Sequence, residues 1–256
     1  MVYGFMPGPE QINTNVPMPK EQTTAGNAIG ILGLDIGFLC LPGNVQNSTT
    51  FNFPVFHKIL KGSNLPQIFN ADPALLDLIV EGGKELEKQG VRAITGACGY
   101  FGNYQKEVAV MLDVPVFLSS ILQVQIIEQG LKPNQKVGVM CAEANSLTPK
   151  LLNQCGVDDL SDIVVAGAQD LPEFRKNIIE LRGPFNSYKI EQELVELAKQ
   201  LISNNPDIGA ILLECSDMPP YAWSIQNAVR LPVFDFTTLI NWVYSAVVRR
   251  PFAGFI

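Results

Sequence analysis

The sequence predicts an α/β protein of two pseudo-symmetric Rossmann-like lobes, each built on a mostly parallel four-stranded sheet, with an active-site cleft between them. Three observations point there. From Ala28 onward, short apolar runs alternate with longer amphipathic ones, the pattern of βα units on a parallel sheet. Part of the chain repeats. Ala93-Ile94 precedes Cys98 as Ala210-Ile211 precedes Cys215, and Pro115-Val116-Phe117 follows as Pro232-Val233-Phe234 does, each pair 117 residues apart. A weaker echo links Ile29-Gly30-Ile31 with Val137-Gly138-Val139 at a spacing of 108. Finally, 256 residues with 47% hydrophobic and 17% charged side chains supply a large buried core and exclude a disordered chain.

Taken in order, residues 1–27 are rich in Pro, Gly, Asn, Gln and Thr and read as an extended arm or tail. AIGILGL (28–34) is the first strand, and GNVQNSTTFNFPV (43–55) a long loop. A helix is expected over 73–89, capped by Asp72, begun by Pro73 and stopped before Gly90. The strand VRAITG (91–96) follows, then a short helix, the strand VPVFLS (114–119), and a helix to about Gln129. The second half gives strands over KVGVMCA (136–142), DIVVAG (162–167), IGAILLE (208–214) and LPVFDF (231–236). Its helices are expected over 146–156, 170–181, 188–204 and 219–229, with a last one to about Val248. The repeat divides the chain into a first lobe, 28–120 plus 237–256, carrying Cys98, and a second, 121–236, carrying Cys215.

Charge and motifs narrow the function. Lys plus Arg number 18 against 25 for Asp plus Glu, a net charge of −7 that repels a phosphate backbone, so no nucleic-acid partner is expected. No apolar run reaches the roughly 18 residues of a membrane span, and the start MVYGFMPGPEQ lacks the basic and apolar regions of a signal peptide. Five cysteines, none in a CxxC pair, speak against a disulfide framework or a zinc site and for a reducing, cytoplasmic setting. His57 is the single histidine, and its apolar surroundings in FPVFHKIL suit a structural role. No GxGxxG, GxxxxGK[ST] or HExxH occurs, so dinucleotide, P-loop and zincin chemistry lack support, and no metal is expected.

The repeated cysteines carry the chemistry. Each directly follows an apolar strand, and ligands of parallel α/β sheets bind beyond the carboxyl ends of strands. Pseudo-symmetry then sets one thiol on each side of a cleft. Two opposed thiols suit proton removal from one face of a carbon and delivery to the other, given an environment that lowers their pKa. The helix after each cysteine loop is expected to supply that environment. Gly96 and Gly99 flank the first thiol and open the backbone N–H groups to a carboxylate. Cys40, Cys141 and Cys155 read as buried, inert thiols.

The segments LPGNVQNSTTFNFPV (41–55), ITGACGYF (94–101), SLTP (146–149) and LLECSDMPPYA (212–222) resemble the aspartate/glutamate/hydantoin racemase superfamily, a cofactor-independent two-cysteine group, from about Ile29 to the C-terminus. The resemblance implies Cys98 and Cys215 as the acid/base pair, with Asn44, Ser119, Ser146 and Ser216 near a bound carboxylate. Two positions depart from the family pattern: Ala97 stands where Asn or Asp is common, and Ser216 where Thr is common. ITGACGYF also resembles the cysteine motif of algal dimethylsulfoniopropionate lyases of the same superfamily.

The expected site segments 41–56, 94–105 and 212–226 contain no Lys or Arg, which counts against an acidic side chain on the substrate. They contain Phe51, Phe53, Tyr100, Phe101, Tyr104, Tyr221 and Trp223, whose faces attract cations, and Glu214 and Asp217 add to that attraction. The expected function is an amino-acid racemase or epimerase, with Cys98 and Cys215 catalytic and Asn44, Gly99, Tyr100, Ser119, Ser146 and Ser216 binding substrate. The alternatives are β-elimination of dimethylsulfoniopropionate to acrylate and dimethyl sulfide, and simple binding of a small molecule. The partner is a small carboxylic acid, and the assembly a homo-oligomer, dimer or tetramer.

Overall fold

The structure, a computed structural model, describes residues 19–256, so the expected arm falls largely outside the described residues. Its described end, 19–27, lies along the close of a helix: Thr23 N and Oγ1 donate to Gln89 Oε1 at 3.1 and 2.9 Å.

The first sheet contains β1 (Ile29–Leu34), β2 (Val55–Leu60), β3 (Ala93–Gly96) and β4 (Val116–Phe117), in the order β2-β1-β3-β4. The second contains β5 (Lys136–Cys141), β6 (Ile163–Gly167), β7 (Ile208–Leu213) and β8 (Val233–Phe234), in the order β6-β5-β7-β8. All pairings are parallel. The register repeats as well as the order: Gly30 faces Ile94 as Gly138 faces Ile211, and Ile94 faces Val116 as Ile211 faces Val233. Both sequence offsets are therefore structural: 117 residues relate β3 and β4 to β7 and β8, and 108 relate β1 to β5.

Helices α1 (Leu65–Phe69), α2 (Ala74–Lys88) and α3 (Gln105–Met111) accompany the first sheet. The chain continues through α4 (Val124–Gly130), α5 (Pro149–Gln154), α6 (Pro172–Phe174), α7 (Ser187–Asn204), α8 (Ala222–Val229) and α9 (Phe236–Val247). Helix α2 starts where the sequence predicts, with Asp72 Oδ1 accepting the Ala74 N–H at 3.0 Å, and it buries Leu75, Ile79 and Leu86. Helix α5 is capped by Thr148 and ends at Cys155, followed by Gly156 at φ 84°.

Three elements differ from expectation. β2 and α1 fall in a stretch given no element. β2 is a half-buried edge strand whose Lys58 pairs with Glu85 and whose His57 Nε2 lies 3.0 Å from Val45 O, so it lacks a clean apolar run. The α1 signal was present: Asn64 and Gln67 form a reciprocal capping box, with Pro66 in the first turn. The helix expected over 170–181 is α6 running into a π-helical turn, Arg175–Ile179.

The main apolar core runs through both lobes, from Leu32, Ile94 and Phe101 to Val139, Leu212 and Ile225. A second cluster forms where α9, last in sequence, packs Phe236, Leu239, Ile240 and Val243 against Ile29, Ile31 and Ala93 of the first sheet. The two chain crossings between the sheets are tied side by side: Gln123 Nε2 donates to Asp235 O at 2.9 Å, and Thr238 Oγ1 to Gln123 Oε1 at 2.7 Å. Among the described residues no helix is long and apolar enough to cross a membrane.

Candidate active site

One backbone device positions both thiols. Ala97 N donates to Leu32 O and Glu214 N to Met140 O, each at 2.8 Å, carrying each chain end one step past its strand. A tight turn follows: Phe101 N donates to Cys98 O, and Met218 N to Cys215 O, each at 3.1 Å. The second residue after each cysteine then turns its N–H to the sulfur, Tyr100 to Cys98 and Asp217 to Cys215. The loop residues of the two devices are 117 apart throughout, and the accepting carbonyls of Leu32 and Met140 are 108 apart, the spacing of β1 and β5. The pseudo-equivalent of Ala97 is therefore Glu214, and that of Tyr100 is Asp217.

Cys98 and Cys215 line one cavity, part of it open to solvent. Tyr100, Glu214, Ser216 and Asp217 share its polar side. Its apolar walls come from Ile36 and Phe38 after β1, from Leu65 and Phe69 of α1, and from Ile178 and Ile179 of the π-helical turn. π-helical turns of this kind concentrate at functional sites. Among the described residues no Lys, Arg or His lines the cavity, and no cluster of His, Cys, Asp and Glu is arranged to hold a metal ion.

The electrostatics follow from burial in acidic company. Glu214 is fully buried. Removal from water pushes its carboxyl up to about 8, against the pull of the Ala142 N–H and the Tyr100 hydroxyl. Its Oε2 accepts the Ala142 N–H at 3.4 Å, while Oε1 has no hydrogen-bond partner. Burial likewise raises Asp217 to about 7, opposed by its bonds to Asn44 and Cys215. Both thiols lie well above the usual thiol value. Burial is the first cause for each; Glu214 comes next for Cys98, and Asp217 for Cys215. This corrects the expectation of lowered thiol pKa values. The single N–H offered to each sulfur is outweighed by desolvation and by two carboxyl groups. Alkylation of the free protein by iodoacetamide is accordingly expected to be slow at pH 7 and to accelerate beyond pH 9. A fast phase at neutral pH that Cys98→Ala or Cys215→Ala removes would contradict these surroundings.

The sequence-predicted binding residues separate. Tyr100 and Ser216 line the cavity with the thiols. The Ser216 hydroxyl donates to Ala97 O at 2.6 Å and bridges the two cysteine loops. The Tyr100 hydroxyl donates to Glu143 O at 2.9 Å and accepts the Glu143 N–H at 2.7 Å. Gly99 backs onto Glu214 so closely that a Cβ there would collide with Oε1. Asn44 stands one step behind, buried, with Nδ2 donating to Asp217 Oδ1 at 2.7 Å and Oδ1 accepting the Gln46 N–H. Ser119 and Ser146 are not among the cavity's lining residues. Ser119 is wholly buried and caps the turn Ser120–Gln123 through Ile121 N. Ser146 closes a short turn, Ala144–Ser146.

Of the seven aromatics expected near the site, Tyr100 alone lines the cavity. Phe51 and Phe53 stack on each other, Phe53 stacks on Tyr244, and Trp223 is 76% exposed. Phe38 and Phe69 face the site instead, and nothing local in the sequence marks them.

Comparison with known proteins completes the picture. No family model matches the chain. It is 29% identical over 245 residues to a dimethylsulfoniopropionate lyase of Durusdinium sp. clade D, a match covering 93% of this chain and 81% of that one. It is also 29% identical over 237 residues to dimethylsulfoniopropionate lyase 7 of Emiliania huxleyi, covering 89% and 69%. In fold it is similar to allantoin racemase from Klebsiella pneumoniae, with TM-score 0.60, 16% identity and 90% and 96% of the two chains covered. A sulfate-associated variant of arylmalonate decarboxylase gives TM-score 0.57 at 15% identity, covering 86% and 92%. A glutamate racemase from Bacillus anthracis gives 0.57 at 12%, covering 88% and 85%. At these identities the structural likenesses show the fold alone. Both resemblances read from the sequence are met, the racemase type in the fold and the lyases in the sequence.

Proposed function

We propose that this chain is a cofactor-independent lyase that removes the proton next to the carboxylate of a small acid and expels a β-onium group, with dimethylsulfoniopropionate as the substrate. The observation carrying this reading is the cavity itself: two thiols on pseudo-equivalent loops, two carboxyl groups, apolar walls and no cationic lining residue among the described residues. Such a cavity suits a positively charged, methylated leaving group and offers nothing to an acidic side chain. The names of the sequence relatives support the same substrate.

In this reading Asp217, whose Oδ2 accepts from the Cys215 thiol at 3.8 Å, takes the thiol proton while Asn44 holds the other oxygen. The Cys215 thiolate removes the α-proton. The released electron pair becomes the Cα=Cβ bond as the Cβ–S bond breaks, and sulfur leaves with both electrons. Acrylate and neutral dimethyl sulfide result, and the proton taken from carbon passes from the enzyme to water. Backbone N–H groups of the cysteine loops are the donors available to the carboxylate and to the charge that develops on it. The positive charge of the bound substrate offsets the carboxyls that hold the thiols neutral in the empty cavity.

Racemisation or epimerisation of a small amino acid is the second reading, favoured by the equivalent placement of the two thiols. Proton NMR in D₂O separates the two, with purified protein, dimethylsulfoniopropionate, and both enantiomers of aspartate, glutamate and several neutral amino acids. Vinyl signals of acrylate support the lyase. Loss of an α-proton signal on an intact skeleton supports the racemase, and silence across the panel counts against both.

The proton acceptor also predicts a pH profile. Asp217 accepts a proton only when ionised, and burial holds it at about 7. Turnover is therefore expected to rise with pH through a midpoint near 7. Asp217→Asn removes the acceptor and should lower kcat/KM and flatten this limb. A wild-type profile level from pH 5.5 to 8.5 would remove Asp217 from the mechanism.

A further inference from the structure

The mechanism leaves one buried group unused. Glu214 is fully buried, and its Oε1 has no hydrogen-bond partner. An unpartnered buried carboxyl is among the costlier features a fold can carry. It is not an accident of packing. Gly99 leaves the space that Oε1 fills, where any Cβ would collide with it. The pseudo-equivalent position in the first lobe holds Ala97, a bare methyl in the same backbone setting. The acid is therefore an addition to one side of the cavity.

The titratable groups around it supply no counter-charge. Cys98, Tyr100, Cys141 and Cys215 each feel the Glu214 charge, and each is itself pushed up and held neutral. Asp217, on the same loop and lining the same cavity, has the same sign. Glu214 itself lines the cavity, so a ligand bound there is what can bring a positive charge to it. A ligand with a fixed positive charge and no N–H needs no donor geometry, only proximity. Its methyl groups fit apolar walls such as Leu65, Phe38 and Phe69, and the aromatic faces add to the attraction.

We infer that Glu214 is the counter-charge for the onium group of the substrate, and the residue that sets the preference for a cationic acid over its uncharged isostere. The assignment rests on the lyase reading for its substrate, but its test does not depend on turnover. The probes are 3-(trimethylammonio)propionate and 4,4-dimethylpentanoate, which share a shape and differ by one positive charge. Their dissociation constants would be measured by calorimetry at pH 8.5 on the full-length wild type and on Glu214→Gln.

The wild type is expected to bind the ammonium acid roughly 30-fold more tightly than the neutral one, and Glu214→Gln to bring the two to parity. An unchanged ratio in Glu214→Gln overturns the assignment. So does a wild type that prefers the neutral acid or binds neither. Should Glu214→Gln fail to fold, Glu214→Asp keeps the charge but withdraws it by one methylene. A reduced preference then supports the assignment, and an undiminished one overturns it. Silence in the NMR panel with an intact ratio would sink the lyase reading alone. Acrylate formation with a ratio unmoved by Glu214→Gln would sink this assignment alone.

Discussion

Cys215→Ala is expected to lower kcat/KM by roughly 1000-fold, the scale of a lost proton carrier at a reacting carbon, and Cys98→Ala by less. The two losses carry different information. In an elimination one thiol takes the α-proton and the other does not, so the variants differ in size. Cys215→Ala is expected to be the more damaging, because Cys215 has the acceptor Asp217 beside it. In a racemisation each substitution alone stops interconversion. Steady-state rates with dimethylsulfoniopropionate, together with proton exchange at its α-carbon, measure both. Cys155→Ala is the control. That thiol is buried beneath Gly102, away from the cavity lining. Its removal should cost about 1 kcal/mol of stability in urea and leave turnover intact. Equal turnover in wild type and Cys215→Ala would end the two-thiol account.

Glu214→Gln is expected to stabilise the protein at alkaline pH, by roughly 4 kcal/mol at pH 8. The carboxyl stands near 4.5 in an unfolded chain and is held up to about 8 by burial here. Between those values the folded state binds more protons than the unfolded one. The Glu214 contribution is therefore whole below pH 4.5 and is lost progressively as pH rises through 8. Asp217, raised to about 7, bends the curve the same way. Asp35 and Glu180 are held low by hydrogen bonds and act oppositely, so they set the acid side of the optimum. Urea midpoints at pH 5.5 and 8.5 provide the test. A wild type equally stable at both, or a variant that gains nothing at the higher value, would contradict the burial of an ionisable Glu214. Groups that cost stability where a ligand binds are common in functional sites.

The legible parts of this molecule were those written twice. The repeat of Ala-Ile, Cys and Pro-Val-Phe located β3, β4, β7, β8 and both thiols, because equal backbone settings demanded equal residues. Strand β2 escaped because an edge position tolerates Lys58 and His57, which blur the alternation. The cavity walls escaped for another reason. Phe38, Phe69 and Ile178 come from three separate segments and meet only after folding. Ser119 and Ser146 were carried by the family resemblance alone, and their hydroxyl positions depend on short turns that the sequence does not specify. Glu214 was visible as a charge, but its weight lies in an unpartnered oxygen that no pattern of residues displays.

The unequal pair Ala97 and Glu214 has a thermodynamic corollary. Enantiomers have equal free energy in water, so an enzyme interconverting them must show the same kcat/KM in both directions, however lopsided its walls. Under that Haldane constraint a one-sided carboxylate can shift kcat and KM only in step, and it confers no net advantage on either hand. An elimination obeys no such parity. Its two sides are chemically different species, one charged at sulfur and one neutral, and a carboxylate on one side can hold the first and release the second. Kinetic constants measured from both directions would thus reveal whether the broken symmetry of this cavity is idle or put to use.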